Sequence, residues 1–477
     1  MFVGRQPEID RLSELWDKNV PSLVTCRGRR RIGKSTLIAE FAARSADCLL
    51  RFEGLPPRPG IDDAKQREAF CADMAAQSKL PKVSVSSWSE AFALLDSIIP
   101  ATGRTVVLLD EISWLGGYDP DFAGYLKKAW DRLFSQHRHL VFVLCGSVSA
   151  WIVENILKNT GFAGRNSLDL EVPEMPLDIC DEFFGRRASR IATQEKFDIL
   201  SVTGGVPRYL QEIRPSLSAD ENIRRLCFTP GGLLFREFEE IFADIFGEKS
   251  ERRKKVLRAL SEGSATSTVL ANRMGTPANG HVVDTLEELR LAGFVAKDGG
   301  LNPLTGKPLR EMRYRISDNY ARFYLRYVEP RKQAIEAGLF TFGALDRLEG
   351  WNSILGLQFE NLIVNHLHAL LPKIGLAGTL ITSAAPFFQD ATRRGEGCQI
   401  DLLIQSRRSV CIVEIKRRKS IGTEVMDDVA EKARRLRLPP GISIRTALVY
   451  DGGLSPAVRE EGFFDFIVPA ASLLSEA

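Results

Sequence analysis

The sequence predicts an α/β protein opened by a parallel sheet, followed by a helical segment, a small helix-and-hairpin domain and a second α/β domain. Three stretches predict it. The first is GRRRIGKS at 28–35, set between the apolar run Leu23 to Cys26 and a helical pattern that resumes after Lys34. The second is Thr105-Val-Val-Leu-Leu-Asp-Glu111, a run of buried-strand type tipped by two carboxylates. The third is the pair Gln399 to Ile404 and Val410 to Lys416, joined by the turn Gln405-Ser-Arg-Arg-Ser409.

The first stretch fits G-x-x-x-x-G-K-[ST], with Gly28, Gly33, Lys34 and Ser35 at the fixed positions. Glycines let the backbone of residues 28–36 (Gly28, Arg29, Arg30, Arg31, Ile32, Gly33, Lys34, Ser35, Thr36) wrap a polyphosphate, so that its amides and the helix start face the anion. Lys34 would reach the β- and γ-phosphates of ATP, and Ser35 would ligate Mg²⁺. In the second stretch Asp110 would help to hold Mg²⁺, and Glu111 would polarise the attacking water.

Composition sets the bounds. The 477 residues hold two to four domains, and 44% hydrophobic with 26% charged content describes an ordinary globular chain. A net charge of +3 neither demands nor excludes nucleic acid. The eight cysteines are scattered without a C-x-x-C pair, which favours a reducing cytoplasm over a disulfide scaffold. His366 and His368 lie two apart on an expected helix and so do not share a face, which argues against zinc. No basic-then-apolar leader and no membrane-length apolar run is visible, so a cytoplasmic chain without a membrane partner is expected.

In chain order, an amphipathic helix with Ile9, Leu12, Leu15 and Trp16 precedes the phosphate loop, whose helix runs to Ala43. A Pro-rich loop at 54–62 leads into helices near 63–78 and 88–99. Leu140 to Ser147 is another buried strand. Ser147 at its tip has two readings, γ-phosphate sensing or a helix N-cap. Arg165, ahead of the extended run Ser167 to Val172, would stabilise phosphate charge in its own chain or a neighbour's, or stand as a solvated arginine. From 176 to about 245 the pattern is helical, interrupted at Thr203 to Tyr209. It is expected as a lid that brings Arg208 towards the phosphates.

Residues 250–329 carry 14 lysines and arginines against nine acids. Helices at Arg252–Leu260, Thr266–Met274 and Asn279–Leu291, then extended runs at Ala292–Val295 and Arg313–Ile316, describe a winged helix. Its basic first helix (Arg252, Arg253, Lys254, Lys255) suits phosphate contacts. Asp284, Glu287 and Glu288 on the third would face DNA badly, so a packing role stays open. A connecting helix at 334–349 and a long one from Trp351 to Leu371 follow. The closing strand pair would bring Asp401, Glu414 and Lys416 to one end of a sheet, with Glu414 and Lys416 on one face and Glu360 within reach. Carboxylates Glu360, Asp401 and Glu414 around a metal, with a lysine beside them, suit phosphodiester hydrolysis. A surface ion pair is the plainer alternative.

Taken in order, FVGRQPE, GRRRIGKST, VVLLDE, LCGSVSA and TGGVPRYL resemble the archaeal-type P-loop ATPases, which belong to the STAND ATPases and are relatives of the AAA+ class. The QID and VEIK stretches resemble the PD-(D/E)xK restriction-endonuclease fold. The resemblance implies a P-loop NTPase parallel sheet (1–175), a helical lid (176–249), a winged helix (250–330) and a nuclease-like domain (331–477). It also implies that Phe2, Val3, Gly4 and Arg5 lie on the adenine side and that Gly205 and Pro207 form a lid motif. Arg208 and Cys398 depart from the family pattern. The expected function is an ATP-dependent switch that controls a nuclease-like module acting on DNA, linked to defence or mobile elements, with a protein trigger or self-association among its partners. The alternative is a regulator whose C-terminal fold binds but does not cut.

Overall fold

Strands buried on both faces read as unbroken apolar runs, and five of them build the first sheet. The computed structural model describes residues 2–79, 81–277, 280–309, 311–340, 344–391 and 396–474. Its contacts divide the chain into two units. The first is Met1–Glu174 with Glu239–Glu251 and Glu287–Gly293; the second is Met175–Phe238, Arg252–Leu286 and Phe294–Ala477.

In the first unit, β1 (Ser22–Arg27), β2 (Cys48–Glu53), β3 (Thr105–Asp110), β4 (Leu140–Gly146) and β5 (Asn166–Glu171) form a parallel sheet. Their order is β2-β3-β4-β1-β5. Every residue of β3 and β4 is buried. Helices Gln6–Asp17 and Lys34–Ser45 cover one face through Leu12, Trp16, Leu37 and Phe41. Helices Asp63–Gln77, Trp88–Ile98 and Phe122–Arg132 cover the other through Phe70, Trp88, Phe92 and Phe122. Asp62 and Ser87 start two of these helices by accepting from the amides of Lys65 and Glu90. Because β1 lies between two strands that follow it in the chain, the order reverses there. A crevice is expected at such a point, outside the carboxyl ends of the strands. The tips of β1, β3 and β4 deliver Gly28, Asp110 with Glu111, and Ser147 to that edge.

In the second unit, β6 (Val295–Asp298) and β7 (Arg313–Ile316) pair as an antiparallel hairpin. A mixed sheet follows: β8 (Ile381–Gln389), β9 (Cys398–Ser406), β10 (Ser409–Ile421), β11 (Ser443–Leu454) and β12 (Phe466–Pro469), ordered β12-β11-β10-β9-β8. The β8–β9–β10 part is antiparallel and the β10–β11–β12 part parallel. One face packs Leu402, Ile404, Val413 and Ile415 against Phe359 and Leu362 of helix Trp351–Asn365, and against Leu177, Phe184, Phe197, Leu200 and Leu210. On the other face, Ile400, Leu403, Ile412 and Leu448 meet Val425 and Val429 of helix Glu424–Arg435. The first part of the segment expected as a lid, Leu177 to Ala219, therefore contributes apolar residues to the core of the C-terminal sheet. Polar ties reinforce this: Arg417 on β10 pairs with Asp198 at 2.6 Å and Asp451 at 3.0 Å, and Gln358 donates to the carbonyls of Ser201 and Asn319.

The structure departs from the sequence in three places, and one expected helix start lies outside the described residues. The expected helix 334–349 is a short helix Lys332–Glu336 and a single 3-10 turn at Leu345–Arg347, with residues 341–343 outside the described residues. Gly338, at φ 67°, ends the first of them. The long helix stops at Asn365, because His366 leaves helical geometry before Leu367–Leu370 resumes it, so His366 and His368 are not on one helix. The expected start of the third basic-region helix, Asn279, lies outside the described residues; the helix is Gly280–Leu291. Of the basic run, Arg253 and Lys254 are buried, leaving Arg252 and Lys255 exposed, so it is not a continuous solvated face.

Candidate functional sites

The phosphate loop is set by three left-handed backbone positions, Gly28 (φ 146°), Arg31 (φ 69°) and Gly33 (φ 89°), with Gly33 the N-cap of helix Lys34–Ser45. The helix start and the turn amides thereby gather where an anion is favoured. Lys34 is buried, and its Nζ donates to the carbonyls of Gly28 (3.0 Å) and Arg29 (3.1 Å), which holds the ammonium against the loop it would serve. Ser35 and Thr36 occupy the first helical turn. Arg30 pairs with Asp244 at 2.8 Å and lies over the Trp114 ring. Arg29 is buried.

Arg5 anchors the loop from outside. Its guanidinium donates to the carbonyls of Ile32 (3.3 Å) and Pro173 (2.7 Å) and pairs with Glu8 at 3.2 Å. Both Gly4 and Arg5 have positive φ, a turn that brings the 2–5 segment round to the loop. Phe2 lies under the guanidinium of Arg44, with 5.5 Å to the ring centroid. Gly28 admits no side chain, because a Cβ there would come within 2.5 Å of the Val172 carbonyl oxygen. Gly28→Ala is thus expected to cost on the order of 2 kcal/mol or more of stability and to weaken nucleotide binding, measured by thermal melts and ATP titration.

At the tips of β3 and β4 the acids are held apart. Asp110 is buried, with Oδ2 3.1 Å from Arg51 of β2 and Oδ1 accepting the Glu111 amide. Glu111 sits at φ 48°, and its carboxylate accepts from the Ser147 amide (3.1 Å) and hydroxyl (2.9 Å). The N-cap role open to Ser147 is not the one it takes: the following helix is capped at Val148 with no side-chain bond. Glu53, beside Asp110, is pushed above the usual carboxylate range by burial and by that neighbouring charge. A hydroxyl at Ser35 and a buried carboxylate at Asp110 are hard oxygen donors of the kind Mg²⁺ takes, so these residues fit the ion. Arg165 is committed to Asp131, at 2.6 Å and 3.1 Å, and with Lys127 holds that carboxyl down at about 2. Arg208 pairs with Glu212, and Pro207 opens its short helix. Arg51 was not singled out from the sequence; its only cue is the alternation Arg51-Phe-Glu53 on a strand beside the acid-tipped one.

The second cluster is in the C-terminal sheet. Register places Val413 opposite Leu402, so Glu414 and Asp401 come from the same level of neighbouring strands. Asp401 Oδ2 accepts the Ile415 amide at 2.9 Å. Glu414 is wholly buried, with Lys416 Nζ 2.5 Å from Oε1. A second lysine is present: Lys432, from helix Glu424–Arg435, lies 2.5 Å from Glu414 Oε2 and 3.8 Å from Asp401 Oδ1. Glu360 and Lys416 line a cavity of about 1050 Å³ with Arg273, Arg313, Asp428 and Lys432. Among the described residues, no set of three acidic, histidine or cysteine side chains converges as a metal-ligand group. The ground between the two carboxylates is held by the Lys432 ammonium, so the residues as arranged do not fit a divalent ion. Burial and the charge of Asp401 push Glu360 up to about 7. Glu360 therefore binds its proton more tightly folded than unfolded, and the stability this gives is present below pH 4 and lost as pH rises through 7. The Tm advantage of Glu360→Gln over the parent is expected to grow between pH 5 and pH 8, by about 1–3 kcal/mol in stability.

Comparison with known proteins bears on the first site. Residues 2–213 match the family model described as an ATPase domain predominantly from Archaea. The chain is 24% identical over 368 residues to the uncharacterized protein MJECL04 of Methanocaldococcus jannaschii, covering 76% of each. Over 41 residues it is 44% identical to the uncharacterized ATP-binding protein MJ0423 of the same organism, 9% of this chain and 70% of that one. Among solved structures, the Walker-type ATPase PABY2304 of Pyrococcus abyssi aligns over 68% of this chain and 96% of its own, at 20% identity and a TM-score of 0.49. No described helix is long and apolar enough to cross a membrane. The phosphate loop and the acid-tipped strand both lie within residues 2–213, the stretch that matches the model of this ATPase domain.

Proposed function

We propose that the chain is an ATP-driven switch whose nucleotide state controls a nuclease-like module acting on DNA. ATP would lie along the amides of 28–36 with its β- and γ-phosphates at Lys34. Ser35 and Asp110 would hold Mg²⁺, whose charge offsets that of the phosphates. Glu111 would orient the attacking water once its carboxylate leaves Ser147, and Ser147 would exchange that bond for one to the γ-phosphate. One observation supports coupling: the matched ATPase region extends to residue 213, while Leu177 to Leu210 belong to the core on which Glu414 and Lys416 are mounted. On this view the helices after 175 act as the lid, and the helices and hairpin of 250–330 are a winged helix. Arg252 and Lys255 are its exposed basic contacts.

For the module itself, Glu414 and Lys416 at the edge of a polar cavity, with the buried Asp401 level with Glu414 on the neighbouring strand, support the nuclease-like assignment. The opposing view, a regulator that binds without cutting, draws on the ion-paired state of Glu414. A nicking assay on supercoiled plasmid with Mg²⁺ or Mn²⁺, with and without ATP, separates the two. Asp401-dependent nicking establishes the nuclease, and its absence in every nucleotide state leaves the binding regulator.

A further inference from the structure

Asp401 and Glu414 are both buried, at a depth where a carboxylate charge is tolerable only beside a close cation. The two lysines supply it: two carboxylates and two ammonium groups sum to zero. Lys416 comes from the same strand as Glu414, so its place follows from the pleat. Lys432 does not. It reaches in from a helix fixed to the sheet by Val425, Met426 and Val429, and of the two lysines it is the one that lies between the carboxylates.

A divalent ion shared by Asp401 and Glu414 would need oxygens at roughly 2.0–2.6 Å, on the ground that the Lys432 ammonium holds. Adding the ion with Lys432 in place would leave two surplus positive charges in a buried site. The side chain has somewhere else to go: it is partly exposed, and Asp428, exposed one turn back on the same helix, lines the same cavity. An acid four residues before a lysine is the favourable order for an ion pair on a helix.

We propose that Lys432 is a resident cation that keeps the Asp401–Glu414 site closed to divalent ions, so that its pairing with Glu414 and metal binding exclude each other. Release towards Asp428 opens the site. The biological meaning rests on the nuclease-like assignment, but the test does not.

The full chain, without nucleotide, is titrated with Mn²⁺ while free Mn²⁺ is followed by electron paramagnetic resonance. Lys432→Ala and Lys432→Met are compared with the parent, the methionine keeping an unbranched stem of similar length without the charge. Both variants are expected to gain one Mn²⁺ site about tenfold or more tighter than any in the parent. Adding Asp401→Asn should remove the gain. A parent that already binds Mn²⁺ through Asp401 as tightly as the variants overturns the proposal, and so does a folded Lys432→Met that gains no site. Plasmid cleavage reports separately on the nuclease: variants that gain the ion but never cut retain the gate and lose the nuclease.

Discussion

Glu111→Gln is expected to bind ATP nearly as well as the parent and to lose turnover by about a hundredfold or more, since positioned acid–base groups contribute on that scale. The amide keeps the size of the side chain and can still accept from the Ser147 amide and hydroxyl. What it loses is the ability to draw a proton from water. Lys34→Ala should show the opposite pattern. Its ammonium is already held on the carbonyls of Gly28 and Arg29, so binding needs only an exchange of those acceptors for phosphate oxygens. Deleting a charged hydrogen-bond donor of this kind costs about 1.5–3 kcal/mol, or about tenfold to a hundredfold in Kd. Calorimetric titration with ATP and with a non-hydrolysable analogue, beside phosphate release, separates the two variants. Parent-like affinity in Lys34→Ala would remove the assignment of the loop.

Much of this site was legible because its chemistry is local in sequence. Gly28 and Gly33 must stand where they do for the loop to turn, and Lys34 and Ser35 follow at once. The run Thr105 to Asp110 announces a central strand by burying every residue. The same holds for Glu414 and Lys416, whose shared face is a property of the pleat. Contacts made by register or by distant helices left no such trace. Arg51 meets Asp110 only because β2 pairs with β3, and Lys432 meets Glu414 only because a later helix packs on the sheet. Periodicity also misled where a single backbone angle decided the outcome, as at Gly338 inside the expected helix 334–349. The run Arg252 to Lys255 looked uniformly basic, but a helix turns successive side chains to different faces, and two of the four are buried.

In the nucleotide state that releases Lys432 from Glu414, plasmid cleavage with Mn²⁺ or Mg²⁺ is expected to fall by about a hundredfold or more in Asp401→Asn and in Lys416→Met, and to change when Lys34 or Glu111 is altered. The choice of substitutions follows from the charges. Glu414 is wholly buried between two ammonium groups, and removing one partner of a buried pair costs about 3–5 kcal/mol. Loss of cutting in Glu414→Ala would therefore be confounded with unfolding. Asp401→Asn keeps an oxygen for the Ile415 amide and leaves Glu414 paired with both lysines, so the fold should survive. Lys416 is partly exposed, and its methionine variant leaves Glu414 its bond to Lys432. DNA binding, followed by fluorescence anisotropy, should stay within about threefold in both variants while cutting is lost, the mark of a group needed for chemistry more than for affinity. Control by the ATPase has its own readout. If residues 177–210 carry nucleotide state into the C-terminal sheet, cleavage by Lys34→Ala should no longer respond to added ATP, while Glu111→Gln, which holds ATP without turning it over, should stay fixed in the ATP-bound level of activity. Cleavage that is equal in all three proteins with and without ATP would leave the nuclease in place and remove the coupling. Cleavage that survives in a verified Asp401→Asn, Lys416→Met double variant would trace to a contaminant and leave the module as a binding domain.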